Sequence, residues 1–174
     1  MTQPEERFWT LGRAMATLVL VVMAGAWVWG FSPLAPRGHP DRMEDRTFPE
    51  AAQTVCGAVR DQLDLLPRAF EAQDPAERGT FIDEASVLLR TMVDDLEDIA
   101  PVVVAGDGDA GNVQMWLADW RTYIGDRDTY ADVLRTGEDP AFTVTAIDGA
   151  QVTERIDGFA DANDMENCQV PQDV

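Results

Sequence analysis

NVQMWLADWRTYIGDRDTYADVLR, residues 112–135, is the stretch of sequence that decides the fold. Its apolar side chains recur every three or four residues, which is the spacing of one face of an α-helix. The members of this stripe are Val113, Trp116, Leu117, Trp120, Tyr123, Ile124, Arg127, Tyr130, Ala131 and Leu134. The pattern predicts a long helix from about residue 112 to residue 135, with its aromatic rings on one face.

The aromatic face of this helix has two interpretations. A small helical bundle buries its largest side chains, so the rings are expected to form the core. Alternatively, the rings form a stacking platform for a sugar or a protein partner. Arg127 lies in the same stripe, and it either extends over the rings to solvent or pairs with a partly buried carboxylate. The residues assigned to this core or interaction surface are Trp116, Trp120, Tyr123, Arg127 and Tyr130.

Two further amphipathic helices are predicted before this one. Thr47 begins the first, with a glutamate three residues later as its capping partner, and apolar residues at helical spacing continue to about Leu66. Asp74 and Pro75 begin the second, which is expected to end near Ala100. Each helix carries one apolar stripe that can face the aromatic helix.

A Gly-rich turn, GDGDAG at 106–111, separates the second and third helices. Alternating aspartates in such a turn are similar to the start of an EF-hand calcium loop. Counted from Asp107, however, the fifth position is Gly111 and the twelfth is Ala118, where a calcium loop needs oxygen ligands. We therefore interpret the turn as a flexible helix connection and predict no metal site there.

The pattern changes after Gly137 from helical to β. Residues 142–147 are β-branched and aromatic, the dipeptide 148–149 (Asp-Gly) favours a tight turn, and residues 150–153 can return as a second strand. A short helix is predicted over 154–162. The soluble part of the chain is therefore predicted to be mainly α, a three- to four-helix bundle with one small β-hairpin.

Residues 11–31 are predicted to be a transmembrane helix. No charged side chain occurs from Ala14 to Pro36, and 21 helical residues span about 30 Å, the thickness of the hydrocarbon core of a bilayer. A secretory signal peptide cleaved after Ala26 is the alternative. The apolar run continues past Ala26 with aromatic residues of the type found at membrane interfaces, which favours an uncleaved anchor.

The only cysteines are Cys56 and Cys168. An even number of cysteines, far apart in a small domain, indicates a disulfide formed outside the cytoplasm, although two unrelated buried thiols are the alternative. The arginines on the two sides of the membrane helix are nearly balanced, so the cysteines decide the orientation. The predicted segments are a cytoplasmic tail at 1–10, the membrane helix at 11–31, an extended linker at 32–46 and an extracytoplasmic helical domain at 47–174.

The charge of the chain excludes several functions. Its 32 acidic and 13 basic side chains give a net charge of −19, which leaves no cationic surface for nucleic acid. None of the basic residues is lysine, and the single histidine, His39, lies in the predicted linker, where we expect a solvated side chain. Most catalysis by lysine or histidine is thereby excluded. We predict no catalytic, cofactor-binding or metal-binding residue, and no cofactor.

A set of residues in the last third of the chain carries a resemblance. It comprises 116–120 (WLADW), Asp126-Arg127, Tyr130, Phe159-Ala160, 163–165 (NDM) and Cys168. In these residues the chain resembles a group of uncharacterised single-pass membrane proteins of high-GC actinobacteria. The resemblance implies a small extracytoplasmic helical domain on one membrane helix. It implies no activity and no catalytic residue, because that group has no assigned function.

Two classes of function follow from the sequence. We favour an accessory module of the cell envelope that is held in the membrane by residues 11–31 and binds another envelope or membrane protein. The alternative is a cell-wall carbohydrate-binding domain, or a hydrolase that uses paired carboxylates and needs neither histidine nor lysine. Asp119, Asp126 and Glu154 are the leading carboxylates for a hydrolase.

Overall fold

The computed structural model describes residues 11–32, 39, 41–103 and 107–174, with the backbone alone at residues 11, 102, 103 and 107. The chain divides into two units, Met1–Gly38 and His39–Val174. The described elements are α1 (Leu11–Gly30), α2 (Thr47–Leu63), a 3-10 turn (Ala69–Glu71), α3 (Pro75–Val103), α4 (Asp107–Arg135), β1 (Ala146–Ile147), β2 (Ala150–Gln151), α5 (Val152–Ala162) and a second 3-10 turn (Glu166–Cys168). The predicted mainly α fold, with an apolar N-terminal helix and a small antiparallel hairpin, is confirmed.

α1 is the described helix of the first unit. Its residues Gly12–Gly30 are long and apolar enough to cross a membrane. Their side chains are exposed, and near the end of the helix Trp27 stacks on Phe31 with ring centroids 5.4 Å apart. The helix ends one residue before the predicted boundary at 31.

α3 and α4 form an antiparallel pair with a fixed register. Three salt bridges join them at intervals of seven residues along both helices: Asp83–Arg135, Arg90–Asp128 and Glu97–Arg121. The signs alternate along each helix, so a slip of one heptad would place like charges opposite each other. The helices approach closely at Gly79, where a Cβ atom would lie 2.9 Å from the carbonyl oxygen of Ala131.

α2 packs against α3, and α5 packs against α4. The stripes predicted from the sequence meet in one core, which includes Phe48 of α2, Leu96 of α3, Trp116 of α4 and Ile156 of α5. Each of these four side chains is at most 2% exposed. The core of the domain therefore forms where the apolar faces of all four helices converge.

The predicted disulfide between Cys56 and Cys168 is present and buried, and it joins α2 to the 3-10 turn after α5. The surrounding contact is close, because a Cβ atom on Gly57 would lie 2.9 Å from Asn167 Nδ2. The backbone N–H of Asn167 donates to Gln53 Oε1 at 3.0 Å. The two segments that the disulfide joins, α2 and the 3-10 turn, are thus also joined by a hydrogen bond.

The ends of α2 differ from the prediction. The helix begins at Thr47 with Arg46 at the N-cap position, and the residue before it, Asp45, accepts hydrogen bonds at Oδ1 from the N–H and the hydroxyl of Thr47 at 2.9 and 2.6 Å. These hydrogen bonds lower the pKa of Asp45. The helix ends at Leu63 instead of about Leu66, because Leu65 is 85% exposed and has no core to pack on.

The connection between α3 and α4 is shorter than predicted. α3 continues past Ala100 to Val103 and includes Pro101 in its last turn, where the missing N–H removes the helical hydrogen bond to the carbonyl oxygen of residue 97. α4 begins at Asp107 instead of about Asn112, so residues 107–111 are helical. Acidic residues are favourable at a helix N-terminus because they face its positive dipole end. Residue 106 of the predicted turn, together with residues 104 and 105 before it, lies outside the described residues.

The hairpin is also shorter than predicted. Its strands pair Ala146 with Gln151 and Ile147 with Ala150, and residues 142–145 lie outside the strands. The predicted tight turn is present, with positive φ values at Asp148 and Gly149. Two-residue strands bury too little apolar surface to extend further by themselves.

α5 begins at Val152, two residues before the predicted start at Glu154. The Glu154 carboxylate turns back and accepts a hydrogen bond from the N–H of Gln151 at 3.1 Å. Gln151 is therefore the capping position of α5, and Glu154 has a structural role at this helix end.

The predicted extended linker at 32–46 is wrong over residues 41–46, which pack onto the domain. Met43 is 1% exposed, and its N–H donates to Asn163 Oδ1 at 2.9 Å. The amide of Asn163 also donates to the carbonyl oxygen of Asp41 at 3.0 Å. A buried apolar side chain and a buried hydrogen-bonding partner are thus what bring this segment into the fold.

Ion pairs add to this attachment. Arg42 and Arg46 both contact Asp164, at 2.9 and 3.0 Å. His39 is exposed, as expected. The remaining predicted linker residues, 33–38 and 40, and the predicted tail 1–10 lie outside the described residues.

Candidate functional site

The aromatic face of α4 lies in the core. Trp116, Trp120 and Tyr123 are each at most 2% exposed, and Tyr130 is half-buried. Ring centroids are 6.5 Å apart between the two tryptophans and 5.9 Å apart between Trp120 and Tyr123, in edge-to-face contacts. Phe159 of α5 covers Trp116 at 5.3 Å. Of the two interpretations of this face, the structure supports the core, because an exposed stacking platform needs accessible rings.

The two indole N–H groups differ in their environment. Trp116 Nε1 donates to the carbonyl oxygen of Ile156 at 3.2 Å and so links α4 to α5. Trp120 Nε1 is buried and has no hydrogen-bond partner within the described part of the chain. The aromatic core is thus anchored by hydrogen bonding mainly at its Trp116 end.

Arg127 is the charged member of the stripe, and it is completely buried. Tyr123 lies one helical turn before it on α4, and its hydroxyl accepts from Arg127 Nη1 at 3.1 Å. Ser86 of α3 accepts from Arg127 Nε at 3.0 Å. We call this arrangement of Ser86, Tyr123 and Arg127 the carboxylate socket, because it aims the remaining guanidinium donors at one place.

Asp173 occupies the carboxylate socket. Its two oxygens accept from Nη1 and Nη2 of Arg127, both at 2.7 Å, in a bidentate ion pair. The side chain of Asp173 is 21% exposed, whereas that of Arg127 is not exposed at all. Arg127 therefore pairs with a partly buried carboxylate, which is the second of the two alternatives for this residue, and it does not extend to solvent.

Burial and charge act in opposite directions on the groups of the socket. Desolvation acts to lower the pKa of Arg127, but hydrogen bonds to Asp173 and Tyr123, together with their charges, raise the pKa overall. Burial raises the pKa of the Tyr123 hydroxyl, and the Arg127 charge offsets this only in part. At neutral pH the socket is therefore one buried positive charge beside a neutral phenol.

The segment 169–174 runs over the surface from the disulfide to the socket, and α2 and α5 hold its beginning. Arg60 Nη2 of α2 donates to the carbonyl oxygen of Gln169 at 2.9 Å. The Gln169 side chain donates to Asp161 Oδ1 of α5 at 2.5 Å. The beginning of the segment is therefore fixed between two helices.

Backbone contacts hold the rest of this segment. The N–H of Val170 donates to Asp157 Oδ1 at 2.8 Å. The carbonyl oxygen of Asp173 accepts from the N–H of Ala69 at 3.1 Å. Burial raises the pKa of Asp157, and the hydrogen bond from Val170 opposes that change. Most of these contacts are made to backbone atoms, which any extended peptide has. Most of the dependence of these contacts on residue type therefore comes from the Asp173 side chain.

A cavity of about 640 Å³ lies beside this segment. Its lining mixes the apolar side chains of Phe142, Val144 and Val170 with the carboxylate of Asp157 and with polar side chains, which are Thr143, Gln151, Thr153 and Gln172. Part of its wall is the 169–174 segment itself. Because Tyr123 belongs both to the cavity wall and to the socket, the two are adjacent. The region thus combines a concave surface of mixed polarity with one oriented cation.

The three carboxylates considered for a hydrolase are engaged in structural contacts. Asp119 accepts from Arg155 Nε at 2.9 Å. Asp126 accepts from the backbone and the hydroxyl of Thr145 at 2.7 and 2.8 Å, and Glu154 caps α5 as described above. Asp119 and Glu154 line a common groove of about 340 Å³, which does not include Asp126.

This arrangement does not favour glycoside hydrolysis. A glycosidase needs a proton-donating acid opposite a second free carboxylate, whereas the buried side chain of this groove, Asp119, is paired with an arginine. In the described part of the chain, no group of three or more His, Cys, Asp or Glu side chains is placed to hold a metal ion.

Comparison with known proteins identifies no relative of this chain. A scan against protein-family models found no match, and searches of curated proteins and of solved structures found none either.

Sequence reasoning found part of the carboxylate socket and missed the rest. Helical spacing identifies Tyr123 and Arg127, and the acids next to Arg127 in the sequence are Asp126 and Asp128. The true partner, Asp173, lies 46 residues away from Arg127 in the sequence. Ser86 lies on another helix, and its signal was a small polar residue inside the apolar stripe of α3.

Proposed function

We propose that this protein is a membrane-anchored accessory module of the cell envelope, whose helical domain lies outside the cytoplasm and binds another envelope or membrane protein. The observation that carries the proposal is the joining, in one chain, of an apolar helix of membrane-spanning length to a separate domain closed by a disulfide. The N-terminus is then cytoplasmic and the chain crosses the membrane once.

The disulfide supports the location of the domain. Structural disulfides persist in oxidising compartments and are rare in the cytosol. Cys56 and Cys168 are both buried in the domain core and join segments that are distant in sequence. The net charge of −19 also suits a domain with a well-solvated surface that anionic lipid headgroups repel.

A binding function, as opposed to catalysis, is supported by how the chain uses its polar groups. The buried cation and the three candidate carboxylates serve packing, capping and ion pairing. A domain of this kind presents a shaped surface, which is what an accessory protein contributes to an assembly.

The location can be tested with membrane-impermeant maleimide on intact cells. Gln172→Cys places a thiol on an exposed position of the domain, and Gln3→Cys places one before α1. We expect labelling of the first variant in intact cells, and labelling of the second only after the cells are broken. The opposite pattern would overturn the orientation.

Partner binding can be tested by crosslinking the tagged full chain in membranes, followed by mass spectrometry. The matched control is a tagged chain of the first unit, residues 1–38, which keeps the anchor and lacks the domain. We expect a protein partner that the full chain captures and the control does not. Recovery of only monomer, or of the same proteins with both chains, would contradict the proposal.

A further inference from the structure

The short connection after α2 exposes two large apolar side chains. Leu65 is 85% exposed and Phe70 is 68% exposed, and Pro67 between them is also exposed. Burial of side chains of this size is one of the larger stabilising contributions available to a fold, and here that contribution is not used. Neighbouring exposed apolar side chains commonly mark an interaction surface. We call residues 65–70 the apolar tip.

The backbone of the apolar tip is held in place on the domain. Ala69, the small residue beside Phe70, is 4% exposed and packs into a second buried cluster formed by α3 and α4. Its N–H donates to the carbonyl oxygen of Asp173 at 3.1 Å. The N–H of Arg68 donates to Glu71 Oε2, also at 3.1 Å. The tip is thus anchored by its smallest side chain and presents its largest ones to solvent, so a partner that binds it has little backbone to order.

Arg68 gives the tip a charge that the domain does not neutralise at close range. Among the arginines that the structure describes in the second unit, all contact a carboxylate except Arg60 and Arg68. Arg60 donates to two backbone carbonyl oxygens instead. The guanidinium of Arg68 lies over the Phe70 ring, 5.9 Å from its centroid, while the nearby carboxylate of Glu71 accepts from the backbone. The donors of Arg68 are therefore available to an acceptor from outside the chain.

We propose that the apolar tip is the contact through which the domain binds its protein partner. The partner surface that fits it is an apolar pocket for Leu65 and Phe70, with one aspartate or glutamate at the edge of the pocket for Arg68. This inference rests on the proposed binding function and deepens it, because it names the surface used and the chemistry of the partner. An aromatic ring stacked with an arginine is a common composition at the centre of a protein interface.

A protein surface fits the tip better than a lipid bilayer does. Asp61 and Asp64 lie beside the tip and are exposed, so anionic headgroups are repelled from this end of α2. A single carboxylate in contact with Arg68 is still favourable, because a charge-assisted pair acts at contact distance whereas the exposed acids are screened by solvent. In addition, the 17 residues of α2, about 25 Å of helix, separate the tip from the segment 41–46 through which the chain enters the domain.

Site-specific photocrosslinking of the tagged full chain in membranes from broken cells tests this surface. Leu65→Cys carries a maleimide–benzophenone probe on the tip. Val87→Cys, at an apolar position of α3 that is 55% exposed, carries the same probe as the matched control. Cys56 and Cys168 are joined in the buried disulfide, so within this chain the probe reacts with the introduced thiol. We expect a partner protein to be crosslinked from residue 65 at least about tenfold more than from residue 87.

Substitutions within the tip test the chemistry of the contact. With the probe at residue 65, Phe70→Ala and Arg68→Glu should each lower the crosslinking yield at least about tenfold. Both side chains project from the surface, so the melting temperature of each variant should stay within about 2 °C of that of the unmodified chain. Mass spectrometry of the crosslinked peptide should identify an aspartate or glutamate of the partner, and replacing it with arginine should restore the yield in Arg68→Glu.

Four results would overturn the proposal. Lipid adducts in place of a protein would identify a bilayer contact, and a crosslink between two copies of the chain would identify self-association. Equal yields from residues 65 and 87, or a yield that Phe70→Ala and Arg68→Glu leave unchanged, would show that the tip is not the contact. If the full chain still captures a partner in membranes, the binding function stands and the tip alone is refuted. If it captures none, both fail.

Discussion

Removing the Cys56–Cys168 disulfide is expected to lower the free energy of unfolding of the helical domain by about 4 to 5 kcal/mol. The two cysteines are 112 residues apart in the sequence. In the chain-entropy model, a closed loop of about that length costs the unfolded chain about 16 cal/mol/K, which is about 4.8 kcal/mol at 25 °C. A loss of this size is a large part of the stability of an ordinary domain, which is about 5 to 15 kcal/mol.

The assay is urea unfolding of the full chain in mild detergent, followed by tryptophan fluorescence. Trp116 and Trp120 are buried in the domain and report its unfolding, whereas the tryptophans of α1 are exposed and give a constant background. The Cys56→Ala/Cys168→Ala variant is compared with the oxidised chain, and the chain reduced during unfolding is the control that keeps both sulfur atoms. With a slope of about 2 kcal/mol per molar urea, the midpoint should fall by about 2 M. A fall of less than about 0.5 M in both samples would refute the reasoning.

Four further substitutions test the packing and the charges of the domain. Gly79→Ala should destabilise the domain by about 1 kcal/mol or more, because the new Cβ meets a carbonyl oxygen of α4 at 2.9 Å. The control, Gly125→Ala, meets nothing within 4 Å and should stabilise the domain by up to about 1 kcal/mol. Equal effects of the two variants in thermal denaturation would contradict the close approach at Gly79. Asn163→Ala should cost about 2 kcal/mol and expose the Met43 segment to limited proteolysis, since it leaves the buried N–H of Met43 without an acceptor; unchanged cleavage would count against this contact. Burial raises the pKa of Asp157, so the stabilising effect of its proton is complete below the ordinary aspartate pKa of about 3.9 and is lost as the pH rises through the folded-state pKa. Asp157→Asn should therefore raise the melting temperature of the domain at pH 7, and the difference from the unmodified chain should vanish near pH 3. A lower melting temperature of the variant at pH 7 would disprove this explanation.

The main helices were predictable because their information is local. The apolar residues of α4 recur every three or four positions over several turns. Such a repeat predicts a helix with that face buried. A second local signal was present and was not used. Charges of alternating sign lie seven residues apart at 83, 90 and 97 and again at 121, 128 and 135, and this pattern predicts that the two helices pair. The few residues between the helices make the pair antiparallel.

The attachment of residues 41–46 could not be predicted from the sequence. Met43 is a single apolar side chain among charged neighbours, and six residues are too few to show a periodicity. What brings the segment into the fold is Asn163, whose amide side chain bonds to it from 120 residues further along the sequence. Contacts of that separation leave no mark on the local pattern.

Asp173 as the occupant of the carboxylate socket was equally hidden. The chain has 32 acidic residues, and any of them could have been the partner of Arg127 in a sequence-based argument. The choice depends on where the segment after the disulfide runs, which is set by Arg60 and Asp157 on two different helices. Long-range placement, and not residue type, decided this part of the site.

The long-range closure of the domain has a consequence for its biosynthesis. The α3–α4 pair is local and can form early, but Phe159, which covers Trp116, and Asn163, which receives Met43, come late in the chain. Contacts between distant residues form slowly because a long loop must close first. A nascent chain that has reached residue 150 therefore still lacks the Phe159 ring that covers Trp116. The disulfide can form only later still, because Cys168 is synthesised after the whole of α5.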